Sequence, residues 1–319
     1  MSKLGRVSKT LSDNFDEDLL LQEPMSVWKR TFKRLWSRRS GKIGLLLIGF
    51  IFLIALAAPI IAPYDPHEVL IGKEIVKLKK REGPCIHMLG CDSAKPQHLM
   101  GIDGNYRDQY SRIIYGSRIS LSIGFSTVSF AVTGGVLLGA LAAFFGGWID
   151  NIIMRLMDVI LGFPSLLLAI AIVAVLGPGI RNALLAIAIV TLPAYARLTR
   201  ASVLTVKELD FVKASITLGA SPTRLLLFRI LPNSLTPVVV LATLGIATAI
   251  LDAAGLSFLG LGAQPPMPEW GTMLGSERNQ VFSAPHLVFF PGIAIMITVL
   301  AFNLFGDGLR DALDPRLND

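Results

Sequence analysis

Residues 207–233 read KELDFVKASITLGASPTRLLLFRILPN and lie between two long apolar runs. Val203, Val206, Phe211, Ala214 and Leu218 recur through this region at loosely helical spacing. Gly219 then offers a residue that tolerates the left-handed conformation of a helix end, and Ser221-Pro222 offers a cap and a first-turn proline for the next helix. The pattern predicts two short helices joined by a sharp turn, with Lys207, Lys213, Arg224 and Arg229 holding them in water at a membrane surface. An ordinary amphipathic connector fits these residues, and so does a surface that docks a cytoplasmic partner.

Composition sets the class around this segment. Hydrophobic residues make up 52% of the 319 and charged residues 17%, against about 45–50% and about 25% in soluble domains. With a mean hydropathy of +0.59, the chain reads as an all-α polytopic membrane protein with no room for a separate catalytic domain. Its net charge of +7 belongs to loops that set topology or meet lipid head groups, so nucleic acid is not an expected partner.

Six spans are predicted near 43–62, 119–145, 153–176, 182–199, 235–259 and 286–305, each an apolar run close to the length a bilayer requires. Residues 1–27 are polar and partly acidic, and read as a mobile cytoplasmic tail. They do not form a signal peptide, because the first apolar run begins only at Ile43. In 28–40, Trp28, Phe32, Leu35 and Trp36 fall on one helical face and basic residues on the other, which predicts an interfacial amphipathic helix leading into the first span at 41–62. Lys29, Arg30, Lys33, Arg34, Arg38, Arg39 and Lys42 crowd that span with no acid among them, which places the N-terminus inside. An even span count then puts 207–233 and the C-terminal 309–319 inside, and loop 63–111 outside. The membrane core is 112–308.

Loop 63–111 holds Cys85 and Cys91 together with His87 and His98. A disulfide between the cysteines is the first reading for an extracytoplasmic loop. A zinc site is the rival, although the spacing lacks the compact Cys-x2-Cys pairs of structural sites, and two free thiols lie between these readings. No metal site is expected. Neither Gly41-Lys42 nor Gly72-Lys73 completes a P-loop, and His-Glu-x2-His and Gly-x-Ser-x-Gly are absent, so the chain carries no catalytic residue and does not hydrolyse ATP unaided.

Inside the spans, Asp252 in the outer half of the fifth is a candidate for a translocation pathway, with a structural hydrogen bond or ion pair as the alternative. Arg155 and Asp158, three residues apart, are placed to pair with each other. Pro164 and Pro193 are expected to interrupt helices. Gly135 and Gly139 form a Gly-x3-Gly that permits close helix packing.

The run Lys213-Ala214-Ser215-x3-Gly219-Ala220-Ser221-Pro222, preceded by Phe211 and closed by Leu231-Pro232, resembles the coupling loop of ABC-importer permeases. Lys213 stands where that family usually has Glu, and Ser215 replaces an Ala. HLMGIDGNYRDQYSRIIYGSRISL (98–121), FFGGWIDNIIMRLMDVILGFPSLLLAI (144–170), LSFLGLGAQPPMPEWGTML (256–274) and NLFGDGLRDALDPR (303–316) are similar to the C-type permease of dipeptide, oligopeptide and nickel importers. Asp252 occupies a position where that family commonly carries Glu.

The resemblance implies six transmembrane helices of the type I importer permease (MetI-like) fold and a cytoplasmic coupling helix made by the residues just named. It also implies a B-type permease partner, two ATPase subunits that bind ATP and Mg, and an extracytoplasmic binding protein facing 63–111 and 264–278. The expected location is a bacterial or archaeal plasma membrane. Peptides are the expected cargo, with nickel complexes or oligosaccharides as alternatives. A secondary transporter and a structural membrane subunit are the readings from other classes. Internal repeats with paired broken helices would favour the former, and a dispensable 207–233 segment the latter.

Overall fold

Apolar runs in a lipid environment must satisfy every backbone group internally, and here they do so as helices. The structure, a computed structural model, describes residues 27–73 and 78–313. The expected tail at 1–27 and the end of 309–319 therefore fall mostly outside the described residues.

Helix α1 (Val27–Ser37) meets α2 (Arg39–Ile61) at Arg38, whose extended backbone separates the basic amphipathic helix from the first apolar one. After a connecting loop come α3 (Gln109–Phe145), α4 (Gly147–Leu161), α5 (Ser165–Leu176) and α6 (Ile180–Lys207). The short helices α7 (Asp210–Thr217), α8 (Pro222–Leu225) and α9 (Leu231–Ser234) follow, with a π-helical turn at Leu226–Ile230. The chain then forms α10 (Thr236–Phe258), α11 (Trp270–Glu277) and α12 (His286–Leu313). Among the described residues, α2, α3, α6, α10 and α12 are each long and apolar enough to cross a membrane, and a sixth crossing exists if α4 and α5 count as one.

Several boundaries differ from the sequence expectation. The run at 153–176 is not a single straight helix: α4 and α5 bend by 93° across Gly162-Phe163-Pro164. Pro164 lacks an amide donor and drives Phe163 away from helical geometry. Pro193, expected to interrupt its helix as well, lies inside the continuous α6. Helix α3 begins ten residues before the predicted span because Asp108 caps it, accepting a 2.7 Å hydrogen bond from the Ser111 amide.

The core forms where α3, α6 and α10 pack with α2 and α12, around Leu121, Val128, Tyr195, Ile246 and Phe302. Small residues set the spacing. A Cβ at Gly139 would overlap the Ala196 carbonyl oxygen, so the Gly-x3-Gly face brings α3 backbone-close to α6.

Outside the spans, 62–108 folds over α11. Cys85 and Cys91 are joined by a disulfide with Cα atoms 5.4 Å apart, and Cys85 exchanges backbone hydrogen bonds of 2.8 and 3.0 Å with His98. His98 in turn lies 2.8 Å from the Asp108 carboxylate. The Arg81 guanidinium donates to Glu277 at 2.8 Å, and Glu277 also accepts from the Gly104 amide at 2.9 Å. Buried Arg112 donates to the carbonyls of Pro66 and Pro266, at 2.7 and 3.2 Å. Two loops far apart in sequence thus form one cap. Burial works against a charged Glu82 on its rim, yet the Lys79 amide and the Lys95 ammonium hold its carboxyl below the usual carboxylate range.

Candidate functional site

The 207–233 region folds by the local chemistry its residues imply. Asp210 lies in the first turn of α7, where a negative charge complements the helix dipole. The helix ends at Gly219, which adopts φ +80, while the Gly219 and Ala220 amides return to the carbonyls of Ile216 and Ser215 at 2.9 and 3.1 Å. Ser221 then takes an extended backbone and Pro222 opens α8.

Only a few side chains anchor this unit. Val212, Leu225 and Ile230 are buried with Ala140 and Ala143 of α3 and Val203 and Val206 of α6. At the junction, the Lys207 ammonium donates to the Phe144 carbonyl at 3.3 Å, closing the last turn of α3.

The opposite face is open. Phe211, Lys213, Ala214, Gly219, Ser221, Pro222 and Pro232 are exposed, whereas Ser215, Ala220 and Leu231 are half-buried. Leu218, at the corner, is 88% exposed. Lys213 is paired only loosely, 3.5 Å from Glu208, with both groups in water, so that contact contributes little. An apolar corner flanked by small residues, on a unit rooted in the ends of two long helices, is suited to fit a cleft and to transmit its displacement to α3 and α6.

Two ion pairs behind this surface were not foreseen. Asp150 of α4 accepts hydrogen bonds from Arg200 of α6 at 2.5 and 2.6 Å. Asp158 pairs with Arg197, and not with Arg155 as its spacing suggested. The signal available in the sequence was the pair of arginines near the inner end of an apolar run. Glu269, buried at the start of α11, accepts from the Gly271 and Thr272 amides at 3.0 and 2.8 Å. Its place as an N-cap is recoverable only once the helix start is known.

Asp252 is half-buried in α10 and lines a cavity with Leu166 of α5, Leu274 of α11 and Gly292 of α12. Among the described residues no group of three His, Cys, Asp or Glu side chains is placed to hold a metal ion. His87, part of the zinc alternative, instead lies 2.8 Å from the Lys95 carbonyl.

The family described as binding-protein-dependent transport system inner membrane component matches residues 135–319, a stretch that contains all of 207–233. The chain belongs to that family. Its N-terminal part, 26–78, matches the N-terminal transmembrane domain of oligopeptide transport permease C. A dipeptide transport system permease protein of Alkalihalophilus pseudofirmus is 46% identical over 92% of this chain and 91% of its own length. A di/tripeptide transport system permease protein of Pseudomonas aeruginosa is 48% identical over 93% and 96%, and a glutathione transport system permease protein of Pectobacterium atrosepticum is 43% identical over 91% and 90%.

The permease in an inward-facing structure of the MetNI methionine ABC transporter shares the fold, with a TM-score of 0.53 at 18% identity over 64% of this chain and 97% of that one. The chain is thus a multi-pass permease subunit of an ABC importer, with the all-α MetI-like architecture. In this family ATP hydrolysis belongs to separate subunits, and an ATPase and a binding protein complete the transporter.

Proposed function

We propose that this permease passes di- or oligopeptides, handed over by an extracytoplasmic binding protein, across the plasma membrane of a bacterium or archaeon. The observation that carries the coupling half of this reading is the exposed face at 211–222, built on three buried anchors at the inner ends of α3 and α6. Two ATPase subunits hold the ATP and Mg, and the permease itself needs no cofactor. A second, B-type permease completes the passage.

ATP binding closes the ATPase pair, α7 and the Gly219 corner move with it, and the spans reorient from outward to inward opening. Such a shift requires that the ATPase contact this corner differently in the two states. Topology follows the basic residues beside α2: both termini are cytoplasmic and the disulfide-bearing cap is outside. The cap, including 264–278, then faces the binding protein. Cargo is supported by the relatives, whose names refer to dipeptides, di/tripeptides and glutathione.

The test is affinity purification of the tagged chain with its neighbours. The ATPase subunits should be recovered with the wild type and lost on deletion of 213–222, and reconstituted complex with binding protein should take up a labelled dipeptide only with ATP. Uptake by this chain alone in liposomes would contradict the importer reading.

A further inference from the structure

Asp252 is a carboxylate within a spanning helix, and among the described residues no hydrogen bond or ion pair engages it. An acid at that depth is costly against lipid, so its place is in a bundle interior or beside a water-filled path. It lines a cavity of about 450 Å³ whose wall includes Leu166, Leu251, Leu274 and Ile295. Apart from Asp252 that wall carries no ionisable side chain.

Room has been kept beside the acid. A Cβ at Gly255 or Gly292 would meet nothing within 4 Å, so neither helix fills the space with a side chain. Leu274 belongs to α11 of the outer cap, so the cavity lies where the cap meets the spans. Its volume lies in the roughly 300–1,000 Å³ range of pockets that enclose small ligands.

Resting on the peptide reading above, we propose that Asp252 receives the terminal ammonium of the peptide as it leaves the binding protein. A passage for peptides of many sequences can read only what they share, which is a backbone with a charged group at each end. An apolar wall holds varied side chains without selecting among them, and one carboxylate placed in it supplies the counter-charge for the ammonium. That interaction is a charge-assisted hydrogen bond, roughly twice as strong as one between neutral groups.

The experiment compares trialanine with propionyl-dialanine, the isostere lacking the ammonium, in proteoliposomes holding the complete transporter. Binding-protein occupancy is matched for the two probes by separate titration. Wild type should take up trialanine about tenfold faster than propionyl-dialanine, which lacks the ammonium and keeps the carboxylate, the scale of one lost charge-assisted hydrogen bond. Asp252→Asn should bring trialanine down to the rate of the isostere, and Asp252→Glu should restore most of the difference. Equal uptake of both probes by wild type would overturn the proposal, and this arm needs no variant to fold. A uniform loss for both probes in Asp252→Asn would also overturn it, marking the acid as a contact with the partner permease or a packing group. If wild type moves neither probe, the peptide reading itself fails, and the role of Asp252 fails with it.

Discussion

The Asp150 carboxylate accepts two hydrogen bonds from the Arg200 guanidinium, at 2.5 and 2.6 Å, and so fastens the start of α4 to the C-terminal half of α6. Asp158 and Arg197 make a second fastening along the same boundary. Helix α4 needs them, because Met157 is the only residue it buries among those described.

Arg200→Lys should keep the charge but lose the two-pronged geometry. Because Arg200 is about a third exposed, the coupling energy in a double-mutant cycle with Asp150→Asn should be modest, about 1 kcal/mol. Thermal unfolding of the four purified variants in one detergent measures it, and additive effects would mean the two-pronged geometry contributes nothing beyond what a lysine supplies.

Gly139→Leu should be far more damaging. Its side chain would have to occupy the space of the Ala196 backbone, forcing α3 from α6. Overpacking of this kind costs about 1–3 kcal/mol or more. Loss of the monodisperse peak in size-exclusion chromatography is the expected outcome, whereas an equivalent change at Gly49, where a Cβ meets nothing within 4 Å, should leave it intact.

These cases show what the sequence made legible. The turn at Gly219-Ala220-Ser221-Pro222 was readable because its causes are local: a residue free to adopt positive φ, then a cap and a proline. Hydropathy also located the spans, since burying backbone in lipid leaves few alternatives to a helix. The break at 162–164 was signalled by Pro164, which cannot continue the hydrogen-bond ladder, but its 93° size was not, because Phe163 keeps the run apolar. Asp158 was assigned to Arg155 because spacing sees only neighbours along one helix, whereas Arg197 arrives from another. The Arg81–Glu277 contact joins a loop residue to the end of α11 across 196 positions, and nothing local in either segment announces it.

The cap gives a further prediction. Glu277→Gln should leave Arg81 with a weaker acceptor and loosen the junction between 62–108 and α11. Amide exchange at 101–106 and 270–277 should accelerate about tenfold, corresponding to loss of one hydrogen bond to a charged group, while exchange in α10 should not change. Faster exchange throughout the spans would show that Glu277 supports the whole fold and not the cap alone.

Reduction probes the same region. Cys85 and Cys91 close a loop with a sequence separation of 6, for which chain-entropy arguments give about 2 kcal/mol. Under native conditions no thiol should react with a maleimide, and after reduction two should. Labelling without reductant would show that the thiols are free. Since both cysteines are in the cap and not in 207–233, ATPase recovery with the permease should not depend on them.

The proposed coupling depends on one contact, between the Gly219 corner and an ATPase subunit. Leu218 is 88% exposed at that corner, and Leu218→Cys adds a thiol on the face opposite the buried anchors. In membranes containing the complete transporter, a short maleimide–diazirine cross-linker attached to Leu218→Cys should join it on illumination to the ATPase subunit, with a yield that changes when ATP is added. An ATPase that copurifies yet gives no cross-link from Leu218→Cys, with or without ATP, would contradict the assignment of this corner as the coupling surface.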